Sequence, residues 1–280
     1  MEEIKKVRAP VRIDFAGGTT DIEPFASKYG GAILNAAINK RIYGNLIASN
    51  KKVSLEYHGD IPTSSGLGTS GVMNVVWLAL ISKKPAIKTK EKITLAEEVY
   101  KIERAMNLTG GKQDQYAAAL GGINFLEFNG KKVKVTKLNL KKEVVKKLEK
   151  KLLLVYTGKP HFSGNSNKAM IDNLKKCKNT ENLLKIKKIA YKRKNCLLKN
   201  NLKEFAELMN QETNERAKLH NSIVPSKIQD IISVAMKNGA IAAKICGSGG
   251  GGCILFFCND KEKMIRKFGW KAIEFNFDFE

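Results

Sequence analysis

The chain has 280 residues, enough for one large domain or two of ordinary size, and 43% of them are hydrophobic, so a substantial core is expected. Its net charge is +23, no apolar run approaches the roughly 20 residues of a membrane span, and Met1 to Val7 holds no apolar segment; neither a membrane association nor a signal peptide is expected. The lysines are spread over many segments without an aromatic-interleaved basic stripe or a nucleic-acid motif, so the charge reads as a solvated surface and no nucleic-acid partner is expected.

Val7 to Phe15 reads as a strand that ends in the turn Gly17-Gly18-Thr19-Thr20-Asp21. Ile22 to Tyr29 reads as a short helix. Ala32 to Ile38, Ile42 to Ala48 and Lys52 to Tyr57 read as three strands. A Gly- and Ser-rich loop follows, then a helix to about Ser82. Thr94-Leu95-Ala96-Glu97 has the spacing of a capping box, which predicts a helix from there to Met106. Gly110-Gly111 breaks it, and Asp114 to Leu120 forms another short helix ended by Gly121-Gly122. Ile123 to Phe128 and Val133 to Leu140 are strand-like. A domain boundary is expected near residue 150, inside a Lys-rich stretch, which divides the chain into 1–150 and 151–280.

The second half opens on the apolar strand Leu152 to Tyr156. Helices are expected over Asn165 to Cys177, Thr180 to Lys199, Leu202 to Leu219 and Pro225 to Asn238. Strands Ala240 to Cys246 and Cys253 to Cys258 flank Gly247-Ser248-Gly249-Gly250-Gly251-Gly252, and a short helix and a last strand close the chain. The fold class is therefore mixed α+β. The five cysteines (177, 196, 246, 253, 258) form no CxxC pair, and none of His58, His161 and His220 is spaced with a Cys pair. They read as buried thiols of a reducing, cytoplasmic compartment, and no zinc site is expected.

Four stretches carry chemistry. In Pro62-Thr63-Ser64-Ser65-Gly66-Leu67-Gly68-Thr69-Ser70-Gly71, three glycines and five hydroxyls precede an apolar helical run. Free N–H groups and the positive dipole end of that helix would face the loop, which makes a phosphate site. The bland reading is a Ser/Gly turn that caps the helix. Ala9 to Asp21 brings Arg12 and Asp21 near one turn, where Arg12 can steady phosphate charge and Asp21 can bind substrate hydroxyls or serve only as a turn residue. Gly110-Gly111-Lys112-Gln113-Asp114-Gln115 follows a helix carrying Glu103. Asp114 can accept a hydroxyl proton, hold a cation, or merely cap its helix. Gly247 to Gly252 matches G-x-G-x-x-G by letter, but its strand-loop-strand context excludes the dinucleotide reading. It is expected to be a hairpin loop small enough to press on the phosphate loop and substrate.

Taken together, the four stretches resemble the GHMP kinase family (galactokinase, homoserine kinase, mevalonate kinase), with all three family motifs in order over nearly the whole chain. The resemblance implies a two-domain α+β fold with the active site in the cleft between domains. It implies ATP and Mg²⁺, with Pro62, Ser64, Ser65, Gly66, Leu67, Gly68, Thr69 and Ser70 around the nucleotide phosphates and Thr69 and Glu103 on the metal. Asp114 and Arg12 would be catalytic. Gly17, Gly18, Asp21, Gly111, Gly247 and Gly249 would meet the substrate. Gly-Gly-Lys-Gln-Asp-Gln-Tyr-Ala-Ala-Ala and Phe15-Ala16-Gly17-Gly18-Thr19-Thr20-Asp21 look most like the heptose 7-phosphate 1-kinase subgroup, which implies a sugar or sugar-phosphate acceptor at its anomeric hydroxyl. Lys112, Lys159, His161 and Arg216 are candidates for a second phosphate. One departure is that only nine residues separate Lys52 from Pro62, where bacterial heptose kinases are longer. A mevalonate- or homoserine-type kinase is the alternative within enzymes, and a non-catalytic sugar or nucleotide sensor the alternative outside them. Whether the chain forms a homodimer is left open.

Overall fold

The computed structural model describes residues 3–49, 52–130, 132–160, 163–176 and 178–280. His161 and Cys177 lie outside the described residues. β1 (Glu3–Ala16) pairs antiparallel with β2 (Gly31–Ala48). The two runs expected as separate strands, Ala32 to Ile38 and Ile42 to Ala48, are this one 18-residue strand. Its neighbours explain the union. β1 lies along one edge of β2, while the other edge is shared by β3 (Val53–Gly59) and β4 (Ile123–Asn129). The polar run Asn39-Lys40-Arg41 falls where the partner changes. β5 (Lys132–Lys137) completes this sheet beside β4.

The helix expected over Ile22 to Tyr29 is shorter, α1 (Phe25–Tyr29). α2 (Thr69–Ile81) buries Val72, Val75, Val76 and Leu80 on one stripe, the spacing of a helix that lies on a sheet. α2 and α4 (Gln113–Leu120) pack on β1 and β2, and α3 (Thr89–Ala105) packs on both helices. The capping box expected at Thr94 is not one. α3 begins at Thr89, where the Glu91 carboxylate accepts the N–H groups of Ile87 and Lys88 at 2.9 and 2.8 Å. Thr94 sits mid-helix, its hydroxyl on the Lys90 carbonyl at 3.0 Å. Glu97 is engaged by Lys112 at 2.8 Å.

The Lys-rich stretch expected to be a boundary holds a helix, α5 (Lys142–Lys151), which buries only Val144 and Leu148. A second antiparallel sheet, in the order β7-β8-β6-β9, comprises β6 (Leu152–Tyr156), β7 (Ala240–Ile245), β8 (Cys253–Cys258) and β9 (Ala272–Ile273). Between β6 and β7 run α6 (Ser163–Lys175), α7 (Thr180–Leu198), α8 (Leu202–Ala217) and α9 (Ser226–Met236), and α10 (Lys261–Phe268) follows β8. α7 and α8 pack on each other, α7 on β1 and β2, and α8 on β7. One apolar core therefore crosses from sheet to sheet. Phe15 of β1 meets Phe205 of α8 edge-on at 5.6 Å, and Phe205 lies 6.4 Å from Phe257 of β8. Such ring pairs favour edge-on and offset geometry. The chain end returns to the first sheet, where Asp278 N–H donates to Ala37 C=O at 2.9 Å. Cys196, Cys246, Cys253 and Cys258 are buried free thiols.

Candidate active site

A cleft of about 400 Å³ opens where the turn after β1, the loop before α2, the α3–α4 loop and the β7–β8 hairpin meet. Its wall includes Arg12, Thr19, Asp21, Glu103, Gly111 and Asp114, with Ser64, Gly66, Gly68, Thr69 and Ser70 from the loop and Gly247 from the hairpin. Residues drawn from four separated stretches thus share one cavity.

Left-handed residues shape the loop. Ser64, Gly66 and Gly68 have φ of 58°, 76° and 78°, values that glycine adopts freely and other residues rarely. Gly68 is the N-cap of α2 and no side chain caps the helix, so the hydroxyls are not spent on the role that the bland reading gives them. Three consecutive carbonyls of the loop are engaged by donors of the protein. Ser65 C=O accepts from Cys253 N–H at 2.7 Å, Gly66 C=O from Arg12 Nη1 at 2.7 Å, and Leu67 C=O from Arg12 N–H at 3.1 Å. Tying up acceptors while donors at the helix start stay free suits an anion. The glycine hairpin presses on this loop as expected. A Cβ on Gly252 would lie 2.5 Å from Ser65 O, and one on Gly66 would lie 2.7 Å from Cys246 O.

Not every expected residue reaches the cleft. Ser65 and Leu67 are buried behind the loop and Pro62 is exposed outside it. Gly17, Gly18 and Gly249 serve close packing instead. A Cβ on them would fall 1.8 Å from Ala32 O, 1.9 Å from Asp14 Oδ2 and 2.6 Å from Ile223 respectively. Lys112 is spent on Glu97, Lys159 is exposed away from the cleft wall, and Arg216 is buried in a separate charge network.

Asp114 sits at the second residue of α4 and does not cap it. The capping acceptor is Asp21, whose Oδ2 takes the Gln113 N–H at 3.1 Å. Asp114 instead receives Arg12, with Nε and Nη2 both 2.7 Å from Oδ1. Arg12 is 4% exposed. Burial opposes its charge, yet Asp114 and Asp14 keep the guanidinium firmly protonated. One side chain therefore joins the carboxylate to the phosphate loop. Gly68 and Gly71 bring α2 close to that carboxylate, since a Cβ on either would lie 3.0 and 2.8 Å from Asp114 atoms.

Glu103 reaches the cleft from α3. Its Oε1 accepts from Asn74 Nδ2 at 2.7 Å and its Oε2 from Gln115 Nε2 at 2.5 Å. Burial pushes its carboxyl above the usual range. The two amides were not foreseen; their only signal is one turn of helix beyond the phosphate loop and one residue beyond Asp114.

Asp21 is 3% exposed, and its carboxyl is pushed up to about 7, first by burial and then by the nearby Asp114 and Asp14 charges. Gly111 must be glycine here, because a Cβ would fall 1.9 Å from Asp21 Oδ2. A raised folded value means that stability is highest where Asp21 is neutral and falls as pH rises through about 7. Relative to wild type, Asp21→Asn should therefore gain stability between its ordinary value of 3.8 and about 7, and level off above. Urea melts from pH 4 to 8 measure this difference, expected to reach a few kcal/mol at most. A flat difference would show that Asp21 ionises normally.

Known proteins resemble this chain in sequence and fold. The GHMP kinases N terminal domain matches residues 32–122, and the GHMP kinases C terminal domain matches residues 194–268. A D-glycero-alpha-D-manno-heptose 7-phosphate kinase of Campylobacter jejuni is 27% identical over 307 aligned positions, covering 92% of this chain and 90% of that protein. The alignment exceeds the 280 residues of this chain, so that relative carries insertions. The crystal structure of a D-glycero-D-manno-heptose 1-phosphate kinase from Bacteriodes thetaiotaomicron superposes with a TM-score of 0.76 at 26% identity, covering 99% and 97% of the two chains. A mevalonate kinase of Methanococcus jannaschii reaches a TM-score of 0.67 at 17% identity over 98% of each chain, a likeness of fold alone. The chain belongs to the GHMP kinase family and is an ATP-dependent kinase of two-domain α+β fold.

Proposed function

We propose that this kinase transfers the γ-phosphoryl group of ATP to the anomeric hydroxyl of a sugar or sugar phosphate. The observation that carries the reading is Asp114 held by Arg12 against the phosphate loop in one cleft. Similarity to heptose-phosphate kinases over nearly the whole of both chains supports a sugar acceptor. The two lobes are taken as 1–150 and 151–280, a division supported by the two sheets, since β1 to β5 precede it and β6 to β9 follow it.

Phosphoryl transfer depends mainly on positioning and charge stabilisation. The N–H groups of the loop and of the first turn of α2 receive the nucleotide phosphates. Arg12 stabilises charge developing near the γ-phosphate. Asp21 orients the sugar. The acceptor hydroxyl gives its proton to Asp114 as its oxygen bonds to the γ-phosphorus. The bond from that phosphorus to the bridging oxygen breaks, and ADP leaves with the electron pair.

Thr69 and Glu103 fit a magnesium ion. Both offer hard oxygens on the cleft wall, and each Glu103 oxygen spends only one lone pair on its amide partner. Bound there, Mg²⁺ supplies neutralisation of phosphate charge. Glu103→Ala is expected to raise the magnesium concentration needed for half-maximal activity and to lower turnover. Titration of activity against MgCl₂ checks it, and wild-type magnesium dependence would remove Glu103 from the metal site.

A screen of ATP consumption against free sugars, sugar 7-phosphates, mevalonate and homoserine tests the reading. Consumption with sugars or sugar phosphates is expected. Consumption with mevalonate or homoserine alone would transfer the assignment to the small-alcohol kinases. Binding of sugar without ATP consumption would indicate a sensor, a reading that the intact set Arg12, Thr69, Glu103 and Asp114 disfavours.

A further inference from the structure

Thr19 is held in a conformation that its side chain resists. Its φ is 85°, in the left-handed region, and it lines the cleft. A β-branched residue there is an outlier and persists only when its surroundings fix it. The surroundings come from the far half of the chain. Arg216, in the last turn of α8, donates from Nη1 to Gly18 C=O at 3.1 Å and to Thr19 Oγ1 at 3.0 Å. Its Nη2 donates to Gly247 C=O in the glycine hairpin. Glu212 lies four residues earlier, on the same face of the helix. Its Oε1 accepts the Gly17 N–H at 3.1 Å. Two side chains of α8 thus grip three consecutive residues of the turn after β1.

The grip is itself braced. Lys244 of β7 reaches Asp14 Oδ2 at 2.8 Å and Glu212 Oε1 at 3.3 Å. Arg193 of α7 donates to Phe15 C=O. Asp14, Arg193, Glu212, Arg216 and Lys244 are each at most 1% exposed. Burying five charges is costly and is not by itself stabilising. Their common target is the segment from Asp14 to Thr19. Thr19 C=O then accepts the Ile22 N–H at 3.2 Å, closing the turn that carries Asp21 into the cleft.

We infer that Arg216 is a positioning residue: it holds Gly18 and Thr19, and with them Asp21 and Gly247, in the geometry that receives the acceptor. It does not itself touch the reacting atoms, since it is absent from the cleft wall. Its planar fork reaches three acceptors at once, which a lysine ammonium cannot match in geometry. This assignment rests on the sugar-kinase reading for its kinetic arm and stands apart from it in its structural arm.

The test is Arg216→Lys, alone and combined with Thr19→Gly. Glycine adopts a positive φ without a clamp, so it relieves a positioning defect but not a general loss of stability. With D-glycero-D-manno-heptose 7-phosphate as acceptor, Arg216→Lys should raise the acceptor KM roughly tenfold and leave the ATP KM within about twofold. Adding Thr19→Gly should recover most of the acceptor KM. In hydrogen exchange, the Thr20 and Ile22 amides should open roughly tenfold faster in Arg216→Lys while those of α2 are unchanged. Unchanged exchange at Thr20 and Ile22, or an acceptor KM that Thr19→Gly fails to lower, overturns the assignment. Should Arg216→Lys not fold, Thr19→Val removes only the hydroxyl that Arg216 holds. It should show the same faster exchange, and wild-type exchange would overturn the clamp. A wild-type enzyme that phosphorylates no sugar defeats the functional reading, while exchange still decides the clamp.

Discussion

An Asp114→Asn variant is expected to fold and bind ATP but to turn over roughly 10²–10⁴-fold more slowly than the wild type. The capping alternative predicts otherwise, because Asn caps about as well as Asp. The geometry already separates the two. The first N–H of α4 goes to Asp21, not to Asp114. Asp114 is partly exposed to the cleft and bound by two nitrogens of Arg12. Both nitrogens meet the same oxygen, Oδ1, which the Asn amide oxygen can replace, and Arg12 keeps the Gly66 carbonyl, so folding should survive. What Asn cannot do is accept the hydroxyl proton. Turnover above about a tenth of wild type, well outside the expected range, would overturn the assignment.

Arg12→Lys is expected to cost roughly 10²-fold in turnover, the scale of losing one pre-organised group at a site of developing charge. The exchange keeps the positive charge but loses the fork. A single ammonium cannot hold Asp114 Oδ1 and the Gly66 carbonyl in the same plane as Arg12 does at 2.7 Å each. Because Arg12 and Asp114 touch, their losses should not add. The double variant should be scarcely slower than Asp114→Asn alone, as expected for residues acting as a unit. Losses that multiply would mean that the two act independently.

The sequence shows the site better than the frame that holds it. Arg12, Thr69 and Asp114 stand in short glycine-marked motifs, Glu103 stands in the helix that precedes one of them, and one cleft collects all four. Local chemistry left each of them open between a functional and a bland role, and the ordered motifs together implied the roles; glycine marks the close approaches. Gly68 and Gly111 are cases in point. The clamp on Thr19 was not legible. Arg216 and Glu212 lie in an ordinary helical stretch about 200 residues away, and only tertiary packing reveals their target. Arg216 was instead grouped with cations for a second phosphate, since charge alone does not tell a ligand-binding arginine from a buried one. Element limits are less legible. Thr94 to Glu97 has capping spacing, but Glu91 serves the true start of α3. The boundary lysines form α5 because Val144 and Leu148, four apart, are enough to seat one turn of an otherwise charged helix.

The most direct test of the account is the ³¹P NMR spectrum of the product made from ATP, Mg²⁺ and D-glycero-D-manno-heptose 7-phosphate. The account predicts ADP together with a new phosphorus resonance coupled to the anomeric proton. ADP formed with phosphate on another carbon would contradict the anomeric assignment, and unreacted ATP beside the sugars would contradict the sugar-kinase reading itself.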